Sequence, residues 1–459
     1  MLGIFALVIY ALLTIGATVV FTRRTHDVER FNVADRNIGA FCGALSIAAN
    51  WIWAPSLFVS AERAYRTGIP GMFWFLIPNV LCLILFIPFA KRMHGQFPAG
   101  ITLSDYMGRQ YSPKVQGIYQ FQLGALAVLS AGVQLLAGSK MISLMTGLPF
   151  PLVSVLLAAI AFTYAQFSGI RASVTADVAK IAVVFGGLAL LLPMALDASG
   201  GIATLAKGFG GSTGDYTALF SGNGLDVLLG FGIPTAIGLT SGPFGDQSFW
   251  QRAFSIKKKR LGTAFFGGAL IFAVVPICMG SIGFLAAGAG FAAADPGVVN
   301  LEYISTVLPQ WALVPLLFMV IAGLLSVVGS NLCAAASLMS DWSSDVKKAR
   351  AGMIVLLAAA VAIANIPGLT VTHLFLFYGT LRSSTLLPTV LTLSGKKLMS
   401  RGVFFGILAS LVIGLPIFAY GSLMNIGTYK TLGSITTVSM SGLIAWVTTL
   451  LSRKQGVIA

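Results

Sequence analysis

The amino-acid sequence predicts an all-α polytopic membrane protein with about thirteen transmembrane helices. Hydrophobic residues make up 57% of the 459 residues and charged residues only 9%, whereas soluble domains carry about a quarter charged residues. Apolar runs of about 20 residues, the length that a helix needs to cross a bilayer, recur along the whole chain. The runs are continuous rather than alternating, and a spanning backbone must be helical or form a closed barrel, so helices are predicted.

The predicted spans are joined by short segments rich in glycine, proline or charge, and no soluble domain is left over. A short amphipathic stretch is expected at 101–111, and a short helix within the join 288–309. The spans cover residues 2–21, 37–61, 71–90, 115–139, 149–167, 174–196, 224–250, 261–287, 310–340, 351–367, 371–393, 402–420 and 433–451.

The 29 lysines and arginines separate between alternate joins. Twenty-two lie on one set of joins and five on the other, while Lys180 and Arg382 lie inside predicted spans. The positive-inside rule makes the rich set cytoplasmic, with the N-terminus outside and the C-terminus inside a plasma (inner) membrane. Because the net charge of +15 comes from these joins, it does not indicate a nucleic-acid partner. The predicted partners are a small-molecule solute and the lipid bilayer, and the oligomeric state is left open.

Two predicted spans are interrupted in their middle. The second carries "SIAANWIWAP" (46–55) and the seventh carries "GFGIPTAIGLTSGPFGDQ" (230–247). Proline removes a backbone donor and clashes with the preceding turn. The two spans are five apart in order, so they cross the membrane in opposite directions. Interrupted helices at matching places of two halves are typical of inverted-repeat transporters, whose unwound backbone binds solute and ions.

Four ionisable side chains are predicted inside the membrane, where such groups are costly and tend to be functional. Asp177 and Lys180 are three residues apart and share a helix face, which suits either a structural ion pair or an ion site. Asp246 lies near the inner end of the seventh span and could pair with Arg252 or a nearby lysine. Arg382 could meet an anionic solute or hold one of the two acids. No motif of an enzyme appears, so neither catalysis nor a cofactor is predicted.

Four stretches together resemble the sodium/solute symporter family, and most of all its urea-transporter branch. The resemblance implies a LeuT-type fold. It divides the chain into a leading helix and inner loop (1–36), a five-helix repeat (37–196), an external loop (197–223), an inverted five-helix repeat (224–393) and two trailing helices (394–459). The stretches are "NWIWAPSLFVSAERAYRTGIPGMFWF" (50–75), "FSGIRASVTADVAK" (167–180), "FGDQSFWQRAF" (244–254) and "GLLSVVGSNLCAAASLMSDW" (323–342).

The resemblance also implies a sodium site beside the first broken helix. Carried over, its oxygens are the carbonyls of Ala49 and Ile52, the hydroxyl of Ser326 and the carboxylate of Asp177. Lys180, one turn from Asp177, is a second candidate for the coupling charge, because its ammonium could replace the cation or carry a proton.

The solute is predicted to bind between the broken helices, where Trp51 and Trp53 offer flat apolar walls. The expected function is sodium-coupled symport of a small polar solute by alternating access, with a urea-like solute as the candidate. The alternatives are a proton-coupled or uncoupled carrier of the same fold, or a membrane sensor that has lost transport. The candidate solute-binding residues are Asn50, Trp51, Trp53, Gln122, Gln134, Gly242, Asp246, Gln247, Tyr378 and Arg382.

Overall fold

The computed structural model describes residues 27–343 and 345–454, together with positions 8, 9, 12 and 16. The predicted leading span, 2–21, lies outside the described residues apart from those four positions. That span therefore stays a prediction.

The described part of the chain is all-α and contains no β-strand, as the sequence predicts. One isolated parallel bridge joins Ile38 to Ile256. The helices of the first half are α1 (Val28–Val33), α2 (Ala40–Trp51), α3 (Ala54–Leu57), α4 (Val59–Gln96), α5 (Leu103–Gln110), α6 (Pro113–Thr146), α7 (Phe150–Ser168), α8 (Ile170–Ala198) and α9 (Gly201–Lys207).

The second half of the described chain has the same character, with two π-helical turns at Leu228–Gly232 and Ser410–Gly414. Its helices are α10 (Asn223–Val227), α11 (Ile233–Thr240), α12 (Gly242–Gly245), α13 (Gln247–Ser255), α14 (Leu261–Gly288), α15 (Val299–Val307), α16 (Leu313–Met339), α17 (Val346–Ala364), α18 (Val371–Ser383), α19 (Leu386–Leu393), α20 (Ser400–Ala409), α21 (Leu415–Leu423) and α22 (Gly427–Lys454).

Seven helical segments of the described chain are long and apolar enough to cross a membrane, and they include α4, α6, α8 and the segment Gln310–Met339. The other predicted spans after the first correspond to shorter or broken helices: α2 with α3, α7, α10 to α13, α17, and α18 with α19. Helices α5 and α15 cover the amphipathic stretch and the short helix that the sequence predicts.

The first broken helix consists of α2 and α3, and it unwinds where the sequence predicts. Ile52 (φ −79°, ψ 85°) and Trp53 (φ −118°, ψ 178°) leave the helical region. Pro55 lies in the first turn of α3, where its missing N–H breaks no hydrogen bond. The sequence thus ends one helix and starts another in mid-membrane.

The predicted join between the second and third spans is wrong. Helix α4 runs from Val59 to Gln96, and its only non-helical dihedrals are at Thr67 and Gly68. Gly68 has φ +55°, and a Cβ there would overlap the backbone oxygen of Phe209. A glycine therefore turns the chain within one residue where a loop of nine residues was expected.

The second broken helix consists of α10 to α13. Pro243 starts α12, and Asp246 is extended (φ −116°, ψ 113°) before α13 begins. The Asp246 carboxylate caps α13 by accepting a hydrogen bond of 2.9 Å from the backbone N–H of Ser248. The break thus places a carboxylate at its centre.

Glycines let α14 pack closely against the first broken helix and its continuation. A Cβ at Gly268 would lie 2.8 Å from the side chain of Ile47, and one at Gly283 would overlap the backbone oxygen of Ala61. Small residues at helix contacts are typical of membrane bundles, where close packing drives association. The start of α4, which continues the first broken helix, is therefore supported by backbone contact with α14.

We expect Gly283→Ala to destabilise the fold by about 1–3 kcal/mol, because the new methyl group meets backbone that cannot rotate away. The measurement is the midpoint of thermal unfolding in detergent. Gly186→Ala is the matched control, since nothing lies within 4 Å of a Cβ there. Equal midpoints for the two variants would contradict the close packing of α14.

Candidate functional site at the two broken helices

The two broken helices meet inside the bundle. The side-chain amide of Asn50 donates a hydrogen bond of 2.8 Å to the hydroxyl of Ser248. Gly242 lies against Trp51, and a Cβ on Gly242 would come within 2.5 Å of the indole ring. All four residues are buried. The interruptions that the sequence predicts thus form one buried polar region.

Unwinding leaves the carbonyls of Ala49 and Ile52 without their helical donors. The backbone N–H of Trp53 bonds to the carbonyl of Trp51 at 3.1 Å and not to that of Ala49. The ammonium of Lys180 donates to the carbonyl of Ala49 and, at 2.7 Å, to that of Ile52. Lys180 is only 1% exposed, so a side-chain cation takes the place of the missing backbone donors.

Asp177 and Arg252 form a buried ion pair of 2.9 Å. The same carboxylate accepts hydrogen bonds from the hydroxyls of Ser46, at 2.6 Å, and Ser326. Arg252 also donates to Ser46 at 2.9 Å and to Ser330 at 2.8 Å. Both charges are 0–1% exposed. A buried ion pair needs such additional hydrogen bonds to offset its lost hydration.

These pairings differ from those that the sequence suggested. Arg252 was expected in the inner join 251–260 as a partner of Asp246, but it lies in α13 and is buried against Asp177. Lys180 makes no ion pair with Asp177 among the described residues, because its ammonium turns to the carbonyls instead. The partners come from distant parts of the chain, so spacing along one helix could not identify them.

The residues implied as a sodium site lie together, but their geometry does not fit a metal ion in this state. Both carbonyls, of Ala49 and Ile52, accept from Lys180. Ser326 directs its proton to Asp177. A hard cation needs about six oxygen ligands, and an ammonium already holds two of those available. The described residues contain no cluster of three His, Cys, Asp or Glu side chains able to hold a metal.

Trp51 and Trp53 form an aromatic wall. Their rings stack with centroids 6.1 Å apart. The indole N–H of Trp51 donates to the backbone oxygen of Asn79 at 3.1 Å. The indole N–H of Trp53 is buried and has no partner among the described residues, and its ring packs on Phe375 and Tyr378 at 5.5 and 5.3 Å. Of the two tryptophans, Trp53 is thus the one whose indole N–H lacks an acceptor.

Tyr378 and Arg382 pack against this aromatic wall, and Asp246 is bonded to Tyr378. The phenol of Tyr378 donates to Asp246 at 2.9 Å. The guanidinium of Arg382 lies 3.8 Å from the ring centre of Tyr378 and within 6 Å of those of Trp51 and Trp53. The structure thus brings together six of the predicted solute-binding residues: Trp51, Trp53, Gly242, Asp246, Tyr378 and Arg382.

No hydrogen bond within the described residues joins the three predicted glutamines to this group, so their role in solute binding stays a prediction. Gln134 accepts from the backbone N–H of Ala54 at 2.7 Å and so holds the start of α3. Gln247 is bonded to the backbone of Ile101 and Leu103, at the start of α5. The amide of Gln122 is buried without a partner, and no described contact links it to the other candidates.

Sequence analysis missed the serines that complete the site. Ser46, Ser248 and Ser330 each bond to a charged or polar group at the breaks. Ser326 and Ser330 are four residues apart and share a helix face. This spacing is a signal that could have identified Ser330. Ser46 carries no such signal, since small residues surround it.

A cavity of about 790 Å³ lies above the breaks. Its lining comes from helix ends and joins that the charge pattern assigns to the outer side, including Glu62, Lys140, Asp295 and Lys430. Phe231 also lines the cavity, and the centre of its ring lies 6.5 Å from that of Phe375. Aromatic rings therefore separate the cavity from the buried polar region.

The opposite end of the bundle is held closed by Asp341, just after α16. Its carboxylate accepts hydrogen bonds from Thr102 and Ser104, both at 2.7 Å, and from Gln120 at 2.9 Å. Burial raises the pKa of Asp341, and these hydrogen bonds act against that rise. The network ties α5 and α6 to α16 on the side that the basic residues mark as inner.

Comparison with known proteins agrees with this architecture. A solved structure of the substrate-bound, outward-open state of a Na⁺-coupled sialic acid symporter matches with a TM-score of 0.78 over 97% of this chain and 98% of that one, at 16% identity. The urea-proton symporter DUR3 of Oryza sativa subsp. japonica is 21% identical over 437 residues, and the probable urea active transporter 3 of Schizosaccharomyces pombe is 22% identical over 273. The alignments cover 86% and 57% of this chain, but only 61% and 41% of those relatives' lengths.

The fold and the paired breaks define an integral membrane protein of the LeuT type, which confirms the predicted fold class. The family model for the sodium:solute symporter family matches residues 31–410, so the chain belongs to that family.

We expect Asp177→Asn to destabilise the protein by about 3–5 kcal/mol, because it leaves Arg252 buried without a counter-charge. The double variant Asp177→Asn/Arg252→Gln should recover part of this loss, since no unpaired charge remains. Thermal unfolding in detergent measures both. Arg30→Gln serves as a control, because its ion pair with Asp35 is exposed and should contribute less than about 1 kcal/mol. Strictly additive losses in the double variant would contradict a coupled pair.

Proposed function

We propose that the protein is a secondary active transporter that carries a small polar solute by alternating access. The observation that carries this proposal is the buried polar region at two unwound helices, with a cavity above it and a closed hydrogen-bonded end below it. Unwound backbone is tolerated in a membrane only inside protein or around a cavity, where its free groups bind a ligand. The similarity to urea and sialic acid transporters supports the same function. We propose no catalytic role.

The proposed orientation in the membrane is inferred from the charge pattern. The cavity is lined by the joins that are poor in lysine and arginine, so the positive-inside rule places its mouth outside the cell. The C-terminus then lies in the cytoplasm, and the protein takes solute up across the plasma (inner) membrane. Reaching the inner side requires the Asp341 network to open and the outer cavity to close.

We propose that protons, and not sodium ions, drive the cycle. Sodium was the first expectation from the family resemblance, and the contacts of Lys180 favour the alternative. Its ammonium already neutralises the carbonyl dipoles of Ala49 and Ile52. A lysine cannot leave the site, but it can gain and lose a proton. The charged groups near it are Asp177, one turn away on the same helix, and Arg252, which pairs with Asp177.

The solute would be held between the aromatic wall and the second broken helix. Trp53 and Arg382 have donors without partners there, while Asn50 and Asp246 are bonded to Ser248. Asn50, Gly242 and Tyr378 therefore shape the site, and the unpartnered donors are the groups free to bind.

We expect purified protein in liposomes to accumulate a solute beyond the level in protein-free liposomes when the outside is acidic, with or without sodium. The probes are radiolabelled urea, acetamide, acetate and pyruvate, each tested under a pH gradient, a sodium gradient and no gradient. Lys180→Gln should lose proton-driven accumulation, because the site keeps no titratable cation. Lys91→Gln, which alters an exposed lysine at the inner end of α4, should behave as the unaltered protein.

Accumulation driven by sodium alone would reject proton coupling in favour of sodium symport. Equilibration of a probe without accumulation under either gradient would indicate a passive facilitator. Failure to move any of the four probes would count against transport of small polar solutes.

A further inference from the structure

We propose that the solute is a small organic monocarboxylate whose carboxylate binds the guanidinium of Arg382. This inference rests on the proposed transport function and names the chemical class of its solute. It would separate this chain from the urea transporters that it resembles, because urea carries no charge.

Arg382 is a buried cation without a counter-ion. It is 1% exposed, and no carboxylate of the described chain lies within 4 Å of its guanidinium nitrogens. Its side chain makes no hydrogen bond within the described ranges, and its Nε–H is buried without a partner. A buried charge normally has a partner, since burial strips its hydration. The missing anion must therefore come from outside the chain.

Aromatic rings contact the guanidinium of Arg382 but accept no hydrogen bond from the N–H groups at its edge. Its centre lies 3.8 Å from the ring centre of Tyr378, 5.4 Å from that of Trp51 and 5.7 Å from that of Trp53. Such contacts attract a cation through the ring face. They satisfy none of its N–H groups, which lie in the guanidinium plane. An acceptor that approaches in that plane is still lacking.

Asp246 is the obvious internal acceptor, but both of its oxygens accept other hydrogen bonds, and it lies in no ion pair with Arg382 within 4 Å. One accepts from the backbone N–H and the hydroxyl of Ser248, at 2.9 and 2.6 Å. The other accepts from Tyr378 at 2.9 Å. Asp246 thus caps α13 and fixes the tyrosine beneath the guanidinium. It positions Tyr378 and forms no ion pair with Arg382 among the described residues.

Two further donors near Arg382 lack acceptors. The hydroxyl of Thr235 is buried without a partner, and Thr235 lines a small cavity together with Arg382. The indole N–H of Trp53 is also unpartnered. Buried polar groups in native proteins are nearly always bonded. These two groups and the Nε–H of Arg382 belong to residues that contact Arg382 or share a cavity with it, which favours a ligand that accepts hydrogen bonds.

The charges at the breaks leave an excess of one positive charge. Counted by formal charge, the region holds three basic side chains, Lys180, Arg252 and Arg382, and two acidic ones, Asp177 and Asp246. All five are buried. A monovalent anion would neutralise the group, whereas a neutral amide would leave the excess in place and a dianion would reverse it.

The planar fork of a guanidinium matches a carboxylate, which it can bind through two parallel hydrogen bonds. A spherical halide offers no such pair of acceptors. The remainder of the solute would lie against the tryptophans, whose flat apolar faces suit a short carbon chain. The cavity beside Arg382 measures about 10 Å³ in this state, which is room for about one water molecule, so the region must widen to admit the solute.

Binding of matched acids and amides to the purified full-length protein tests the proposal without gradients or liposomes. Acetate, propionate and pyruvate are compared with acetamide, propionamide and urea, and with iodide as an inorganic anion. The readouts are the midpoint of thermal unfolding and tryptophan fluorescence. We expect saturable shifts with the acids and none with the amides. Arg382→Gln should weaken acid binding at least tenfold, and Arg382→Lys should restore part of it.

Arg109→Gln is the control variant, because Arg109 is exposed and its guanidinium also lies over an aromatic ring, at 4.9 Å from Phe97. Its acid binding should equal that of the unaltered protein. Equal binding of acids and amides, preference for iodide, or no shift with any acid would overturn the proposal, and these comparisons need no variant. Acid binding without uptake would reject the transport function alone, and uptake of urea without acid binding would reject this inference alone.

Discussion

The buried ion pair between Asp177 and Arg252 is the interaction on which the centre of the structure depends. It joins α8 of the first half to α13 of the second, and its serine partners add α2 and α16. Four helices from distant parts of the chain thus share one charge network. Burying both charges costs hydration, and only the full set of hydrogen bonds offsets that cost. Their relative positions are therefore tightly constrained.

The position of Lys180 follows from that constraint. It lies one turn from Asp177 on α8, so the ion pair also fixes the helix that carries the ammonium. Because Arg252 occupies the carboxylate, the ammonium is left to the two carbonyls that unwinding exposes. The same residues in a chain without Arg252 would allow a lysine–aspartate pair and free carbonyls. One arginine thus determines which cation the first broken helix holds.

The sequence predicted the fold class, both breaks and most helix positions, because each leaves a local signal: an apolar run, a proline or a glycine. It failed at the turn through Gly68, where a single residue with positive φ replaces a loop. It identified the charges at the site but not their partners. Asp177 and Arg252 are 75 residues apart, and their contact depends on how the halves pack. Ser46 and Thr235 gained their importance only from that packing. The division into repeats and the leading span stay predictions.

The tethered ammonium has a consequence for the energy of the cell. A carrier that binds free sodium can release it on the wrong side without solute, and each such slip dissipates the gradient. A cation that is part of a side chain stays with the protein, so only its proton can be released in this way. In the proposed proton-driven cycle, loss of that proton from Lys180 removes the charge that favours the proposed anion. Such a cycle would draw on the proton gradient and leave the sodium gradient for other transporters.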